Sequence, residues 1–149
     1  MSITVEIIEN NKAKVLDELE EAIERALEAV GIQAENYAKV HLEGHIDTGL
    51  LRNSITHALS GHPAAIASYH ADKSKGGKSA IGYYGGNAPG GAGEHAVYVG
   101  TNVEYAPYVE FGHRMPSGAH IAGVKFLQRA VESHTEEYKQ LIEKALKGF

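Results

Sequence analysis

The stretch NKAKVLDELEEAIERALEAVGIQAENYAKVHLE, residues 11–43, sets the architecture of this 149-residue chain. Its apolar side chains return every three or four residues, which is the period of an amphipathic helix, at Leu16, Leu19, Ile23, Ala26, Leu27, Val30, Ala34, Tyr37 and Val40. The pattern predicts one helix over 11–43, about 50 Å long if unbroken, with Gly31 as the expected place for a bend. The opposite face is predicted to be solvated, and it carries a row of carboxylates at Asp17, Glu21, Glu24, Glu28 and Glu35.

A turn and a short helix are predicted directly after the long helix. Gly44 is expected to end the long helix, because glycine favours the position that follows a helix C-terminus. Asp47-Thr48-Gly49 then has the composition of a turn in which Thr48 caps a short helix through Leu50, Leu51 and Arg52. The sequence therefore predicts a structural turn formed by Asp47, Thr48, Gly49 and Arg52.

Four later segments alternate between apolar and polar residues, which is typical of strands in a half-buried sheet. They are residues 54–59, 65–70, 80–84 and 95–101. Two polar, glycine-containing stretches, 72–78 and 85–94, lie between them. Both are expected to be mobile loops, because they have too few apolar groups to pack.

The C-terminal third predicts two further helices. Residues 105–112 indicate a short helix with Pro107 in its first turn and Gly112 at its end. A final helix is predicted from Ile121 onwards. With no repeat or second unit in the sequence, the expected fold is α+β, a single domain over 1–149. A roughly four-stranded, mainly antiparallel sheet is packed by the long N-terminal helix and the C-terminal helix.

Composition and charge argue against several classes of protein. The absence of cysteine removes disulfides, thiolate metal sites and a cysteine nucleophile. The net charge of −5 argues against a protein that mainly coats nucleic acid, since that task needs a basic face. The N-terminal residues lack the pattern of a signal peptide, and no segment has the roughly 20 apolar residues of a membrane helix. No membrane contact is therefore expected.

Three short patterns resemble parts of known catalytic or ligand-binding motifs. Asp47-Thr48-Gly49 is the tripeptide of aspartic proteases, but it follows a helix end rather than a buried strand, which favours the capping turn. Residues 76–79 lack the earlier glycine of a phosphate-binding loop, because Asp72 stands in its place. His41 and His45 have a spacing able to bind zinc, although the acid of the zinc-protease pattern is misplaced. A small hydrolase using Asp47 or a His41/His45 metal site is the alternative function, while the favoured prediction includes no metal and no cofactor.

Three segments carry a resemblance to a known family. DTGLLRNSI, residues 47–55, follows the long helix; VYVGTNVEYAPYVEFG, residues 97–112, is the most specific stretch; and KFLQRAV, residues 125–131, is the weakest. In this order they resemble the minor tail components of lambdoid and related phages, a family that includes tail-completion and head–tail joining proteins. The third segment departs from the usual proline-flanked motif, and region 61–94 is insertion-like.

The resemblance implies a structural virion protein without enzymatic activity. Such a protein would assemble in the host bacterial cytoplasm and become part of the virion tail or neck. Its partners would be copies of itself, arranged in a ring on assembly, and other phage neck and tail proteins.

An aromatic cluster is the first interface candidate. Tyr98, Tyr105, Tyr108 and Phe111 surround one predicted strand and one predicted short helix. Tyrosine suits a core edge and an interface equally well, because its ring buries area while its hydroxyl still needs a partner. Both alternatives stay open. A pair between Arg52 and Glu110 is also expected to lock the turn against the short helix.

Charged side chains are the second interface candidate. Lys73, Lys75 and Lys78 lie in one predicted loop, and they are expected to meet the carboxylate row of a neighbouring copy at Glu21, Glu24 and Glu28. Alternatively, these lysines would face DNA that passes through the tail lumen. Exposed ion pairs contribute only about 0–1 kcal/mol each. The isolated protein is therefore expected to be a monomer or a weak oligomer whose loops order on assembly.

Overall fold

The computed structural model of the chain describes residues 2–6, 11–45, 49–62, 88, 90–91 and 94–148. The helices within this part are α1 (Lys12–His41), α2 (Leu50–Ser54), α3 (Ala106–Phe111), α4 (Phe126–Glu132) and α5 (Thr135–Leu146). The strands are β1 (Thr56–Leu59), β2 (Val97–Gly100), β3 (Gly112–Arg114) and β4 (His120–Ala122). The α+β class, the long N-terminal helix and the C-terminal helical region are confirmed.

The central element is α1, which packs against α4, α5, β1 and β2. Its buried stripe consists mainly of small residues four apart, at Ala22, Ala26, Val30, Ala34 and Ala38. The predicted stripe was partly wrong, because Leu16 and Val40 are half exposed. The contact surface is set by alanines rather than by the larger apolar residues, since small side chains let the neighbouring elements approach closely.

Gly31 does not interrupt α1, which is one helix from Lys12 to His41. The residue instead leaves room for two neighbours: a Cβ at Gly31 would lie 2.5 Å from Cδ2 of His57 and 2.8 Å from Cγ2 of Val97. Glycine is required here by the packing of the β1–β2 sheet on α1. The predicted helix end is close to the observed one, and Gly44 has a φ of +83° in the turn that follows.

The predicted four-stranded sheet was wrong, because the described strands form two separate two-stranded sheets. The first and fourth predicted strands correspond to β1 and β2, which pair antiparallel from Thr56 with Gly100 to Leu59 with Val97. The second and third predicted strands, 65–70 and 80–84, lie outside the described residues. The second sheet, β3 with β4, was not predicted.

The β3–β4 hairpin depends on close backbone contact. A Cβ at Gly112, where φ is +81°, would lie 2.3 Å from the carbonyl oxygen of Ile121. A Cβ at Gly123 would lie equally close, at 2.3 Å, to the carbonyl oxygen of Glu110. Glycine at both positions therefore allows the chain to fold back on the end of α3.

The prediction of one final helix from Ile121 was wrong. Residues 120–122 are taken up in the hairpin, and the left-handed backbone of Lys125, with φ of +55°, separates the hairpin from α4. The helical region is also divided, because α4 ends at Glu132 and α5 begins at Thr135.

The core lies beside the middle and C-terminal end of α1. Its largest fully buried side chains include Phe126, Leu42 and Ile55, which pack with Ala38, Leu51, Ala106 and Ala130. A second cluster joins Val30 and Ala34 to Tyr138 of α5. By contrast, residues 11–18 at the start of α1 are all exposed. One end of α1 therefore belongs to the core, and the side chains at its other end are exposed.

The predicted turn is described only in part. Gly49, with φ of +81°, occupies the N-cap position of α2, the position predicted for Thr48. Asp47 and Thr48 themselves lie outside the described residues. A left-handed backbone strongly favours glycine, so Gly49 has a clear structural role in this turn.

Candidate assembly interface

The short helix α3 presents aromatic side chains to solvent. Phe111 is 72% exposed and Tyr108 is 61% exposed, and Tyr105 at the N-cap is exposed as well. We call Tyr105, Tyr108 and Phe111 the α3 surface. Ala106 and Glu110, on the other face of the helix, are buried. The three aromatic side chains of the α3 surface thus lie outside the core of the described protein.

The position of α3 is fixed by the carboxylate of Glu110. Backbone N–H groups of Leu127 and Gln128 donate hydrogen bonds to its two oxygens, each at 2.9 Å. These N–H groups belong to the first turn of α4, which lacks a side-chain cap from its own N-cap residue. A carboxylate at a helix N-terminus satisfies free donors and interacts favourably with the helix dipole. Glu110 is therefore a long-range cap that joins α3 to α4.

Backbone hydrogen bonds strengthen the same junction. Val124 N donates to the carbonyl of Val109 at 2.8 Å, and Lys125 N donates to the carbonyl of Glu110 at 3.1 Å. The predicted pair between Arg52 and Glu110 is wrong, because the Glu110 carboxylate is bonded to α4. The buried Arg52 Nε has no hydrogen-bond partner in the structure.

An open groove of about 510 Å³ lies beside the α3 surface. It is mostly apolar and is lined by Thr101, Asn102, Val103, Glu104, Ala106, Pro107, Glu110, Phe111 and Leu127. Phe111 therefore stands at the wall of a concave surface. The Tyr108 ring meets the His113 ring edge-on, with centroids 6.1 Å apart.

Tyr98, the remaining aromatic candidate, belongs to a different surface. It lies on β2 and lines a smaller groove of about 230 Å³, which we call the β2 groove. The residues of this groove are almost all apolar: Val30, Gly31, Ala34, Val97, Tyr98, Val99, Val131 and Tyr138. The four predicted aromatic candidates are thus divided between two surfaces.

Histidines of the sheet region bind part of the acidic face of α1. His57 of β1 contacts two carboxylates, with Nε2 2.8 Å from Glu28 and Nδ1 2.6 Å from Glu35. His95 lies 2.9 Å from a carboxylate oxygen of Glu20. Glu35 also pairs with Lys39 at 2.6 Å. Two carboxylates of the predicted row, Glu28 and Glu35, are therefore already engaged by contacts within the chain.

The two carboxylates change the protonation of His57. Burial alone would lower the pKa of His57, but hydrogen bonds and charge from Glu28 and Glu35 outweigh burial and raise the pKa above its ordinary value. A protonated ring donates from both nitrogens, which matches the two acceptors. His57 thus acts as a bridge between β1 and α1.

The other two predicted interface acids, Glu21 and Glu24, contact no histidine among the residues that the structure describes. Glu21 forms an exposed pair with Arg25 at 3.8 Å, which contributes little to stability. Glu24 has no partner among the residues that the structure describes. Both line a shallow surface between α1 and β1, together with Leu59 and His62. The predicted counterparts Lys73, Lys75 and Lys78 lie outside the described residues, as do the loop 72–78 and most of 85–94.

His41 contacts His134 rather than the predicted His45. The two Nε2 atoms lie 3.2 Å apart, and the His134 ring stacks on Tyr37 with centroids 3.5 Å apart. Burial, together with the charges of Arg129 and His134, lowers the pKa of His41 below its ordinary value. His45 is exposed in the turn after α1. The His41–His134 pair is best described as a packed contact between α1 and the start of α5.

Tyrosine hydroxyls complete this contact. Tyr37 donates to Glu137, and this hydrogen bond raises the pKa of Tyr37 above its ordinary value. Tyr138 donates to the carbonyl of Ala130, and burial, with smaller effects of Tyr37 and Glu137, raises the pKa of Tyr138 to about 12. Both hydroxyls are occupied in joining helices.

The hydrolase alternative receives no support from these groups. Within the described ranges, no three histidine or acidic side chains meet in a geometry that could hold a metal ion. Asp47, the other residue proposed for that alternative, lies outside them. In the same part of the chain, no helix is long and apolar enough to cross a membrane.

Sequence reasoning missed the functions of Glu110 and His57. For Glu110 a signal existed: an acid stands four residues after Ala106, on the inner face of a short helix. For His57 the signal was incomplete. Glu28 and Glu35 lie seven residues apart on one helical face, so the sequence indicates two neighbouring acceptors but not the side chain that donates to them. Such long-range partners require the folded structure.

The fold and these surfaces define a small α+β protein that is built on one long helix and leaves aromatic side chains in solvent. Its sequence matches the HK97-gp10-like family of bacteriophage tail components over residues 6–112, more than two thirds of the chain. The chain belongs to this family, which confirms the resemblance found in the sequence. A protein of this family is a structural part of the phage tail.

The matched range contains α1 and the two most specific motif segments, 47–55 and 97–112. It ends before the weaker third segment, 125–131. The comparison with curated proteins and the comparison with solved structures gave no match.

Proposed function

We propose that this tail component acts in tail completion or head–tail joining. It assembles in the host bacterial cytoplasm with copies of itself and with neighbouring neck and tail proteins. The observation that carries the proposal is the α3 surface, a set of exposed aromatic side chains on a helix whose position is fixed by Glu110.

The α3 surface has the properties of a contact site for a large partner. Aromatic side chains dominate the binding free energy of many protein interfaces. Burial of the exposed parts of Tyr108 and Phe111 would contribute roughly 2–4 kcal/mol. Because the Glu110 cap already fixes the helix, little conformational entropy is lost when a partner binds. The adjacent groove lets a partner side chain insert beside Phe111.

Self-assembly into a ring requires two different surfaces on each copy. The accessible carboxylates Glu21 and Glu24, with the partly engaged Glu28, provide an acidic surface on α1. Lys73, Lys75 and Lys78 are the proposed basic counterpart on the next copy. Such exposed pairs mainly increase the rate of association and contribute little to the binding free energy. The second arrangement for these lysines is contact with DNA in the tail lumen.

Deleting the gene tests the place of the protein in morphogenesis. Electron microscopy of lysates is expected to show filled heads and tails of normal length that are not joined. Complementation from a plasmid should restore joined particles. Lysates in which heads and tails join normally, or in which tails are absent, would contradict the proposed step.

A double variant tests whether the α3 surface is the contact. Tyr108→Ser combined with Phe111→Ser is expected to fail in this complementation, with a loss of infectious particles of at least a hundredfold. The matched control is Val40→Ser, which removes a half-exposed apolar side chain from α1. Full complementation by the double variant would show that another surface makes the contact.

A further inference from the structure

The outer edge of β2 is available for another strand within the described structure. Ser60 N donates to the carbonyl of Ala96 at 2.8 Å, next to the β1–β2 ladder. In an antiparallel pair the hydrogen-bonding residues alternate, so the N–H and C=O groups of Val97 and Val99 point away from β1. Among the described residues, no backbone hydrogen bond satisfies these groups.

The β2 groove lies along this edge. Val30 and Ala34 of α1, with Val131 of α4 and Tyr138 of α5, line it together with β2. Val131 is still half exposed. An open strand edge gives main-chain hydrogen bonds, and an apolar groove beside it accepts alternate side chains. Together they form a site for an extended segment with apolar residues two apart.

The N-terminal segment of the chain has this pattern. Residues 2–6 read Ser-Ile-Thr-Val-Glu, with apolar side chains two apart and three β-branched residues in a row. Ile3 is 87% exposed and Val5 is 85% exposed. Such large aliphatic side chains are usually buried. The segment belongs to no strand of the described structure.

We propose that residues 2–6 of one copy add as a strand to the β2 edge of a second copy, with Ile3 and Val5 in the β2 groove. The inference rests on the self-assembly in the proposed function and names one of its contacts. The contact is heterologous, because the segment and the groove are different surfaces. It can therefore be repeated from copy to copy around a ring.

The length of the intervening chain favours a second copy as the source of the segment. Along α1, Lys12 and Ala34 are separated by about 33 Å, because each residue rises 1.5 Å. The nine residues from Lys12 back to Ile3 span at most about 32 Å when fully extended, and the seven residues back to Val5 span about 25 Å. The segment of the same chain would therefore have to run fully extended along α1 to bring Val5 beside Val30 and Ile3 beside Ala34, whereas a segment from a second copy meets no such limit.

The absence of cysteine allows a direct test by disulfide trapping. Copies carrying Val5→Cys are mixed with larger, tagged copies carrying Val131→Cys and oxidised. A mixed disulfide dimer is expected on a non-reducing gel, at a yield at least tenfold above the control. In the control, Val40→Cys replaces Val131→Cys, since Val40 is similarly exposed on α1. Equal yields would overturn the proposal.

A second variant tests the source of the segment. A chain that carries both Val5→Cys and Val131→Cys is expected to remain without an internal disulfide at high dilution. A monomer closed by its own disulfide would overturn the assignment to a second copy.

The two proposals fail separately. If trapping fails while the gene deletion still leaves heads and tails unjoined, the proposed function holds and the strand contact is wrong. If trapping succeeds while the deletion leaves joined particles, the strand contact holds and the proposed step in morphogenesis is wrong.

Discussion

The α3 surface and the N-terminal segment both expose large apolar side chains, but the chain supports them in opposite ways. α3 is joined to α4 by the buried Glu110 carboxylate and by two backbone hydrogen bonds. Residues 2–6 are exposed throughout and precede the exposed start of α1. Fixed side chains bind with little loss of conformational entropy, whereas an extended segment must lose entropy on binding. The α3 surface should therefore bind more tightly per residue than the segment.

The largest predicted effect is on the support of α3. Glu110→Ala leaves two N–H groups of α4 without their charged acceptor, so the free energy of unfolding should fall by about 2–3 kcal/mol. Urea denaturation measures this change. The control is Glu132→Ala at the exposed end of α4, which should cost less than about 0.5 kcal/mol. Equal losses in the two variants would show that the Glu110 cap does not stabilise α3.

The next effect concerns the turn before α2. Gly49→Val places a β-branched residue at a φ of +81°, so the free energy of unfolding should fall by about 1–2 kcal/mol. Thermal melts compare it with Gly148→Val, where a Cβ would meet no atom within 4 Å. A harmless Gly49→Val would contradict the turn.

A smaller effect depends on pH. Because the pKa of His57 is raised in the folded state, its stabilising contribution is fully present below the unfolded pKa of 6.5 and is lost as pH rises through the folded pKa. His41, with a lowered pKa, acts oppositely: its contribution is present above 6.5 and is lost as pH falls through the folded pKa. Considered together, the two histidines place a stability maximum near pH 6.5.

Urea denaturation between pH 6.5 and 9 isolates His57. The wild-type protein should lose about 1 kcal/mol over this range, which is the usual net contribution of one hydrogen bond. His57→Gln should lose less, while the exposed-site control His62→Gln should follow the wild type. A wild-type protein that is equally stable at both pH values would show that the His57 bridge is not charged in the folded state.

The smallest predicted effect is on the N-terminal segment. Ile3→Asp combined with Val5→Asp should change the free energy of unfolding of the dilute protein by less than about 0.5 kcal/mol, because both side chains are exposed. Sedimentation at high concentration should nevertheless show weaker self-association than in the wild type. A clear loss of stability at high dilution would mean that the segment packs on its own chain.

Sequence patterns were sufficient for α1 and α3, because each has a local signal. The helical period identifies α1, and Pro107 with Gly112 brackets α3. The β3–β4 hairpin could not be found in this way, since strands of three residues carry too little alternation. Its formation depends instead on close contact at Gly112 and Gly123, two positions that meet only after folding.

Candidate interface residues were only partly predictable for the same reason. The motif 97–112 identified Tyr105, Tyr108 and Phe111. The exposure of these side chains, however, depends on which face of α3 packs against α4, and the Glu110 contact determines that face. The carboxylate row of α1 was also visible in the sequence. The engagement of Glu28 and Glu35 by His57 was not visible, because those contacts join residues 22 and 29 positions apart.

The central claim, that the α3 surface joins this tail component to its neighbours, is tested most directly by complementation in a cell extract. Purified protein is added to an extract that contains heads and tails but lacks this chain, and infectious particles are counted against protein concentration. The wild-type protein should restore infectious particles. Tyr108→Ser with Phe111→Ser should require at least a hundredfold more protein, although its melting temperature stays within a few degrees of the wild type. Equal titration curves for the two proteins would contradict the claim.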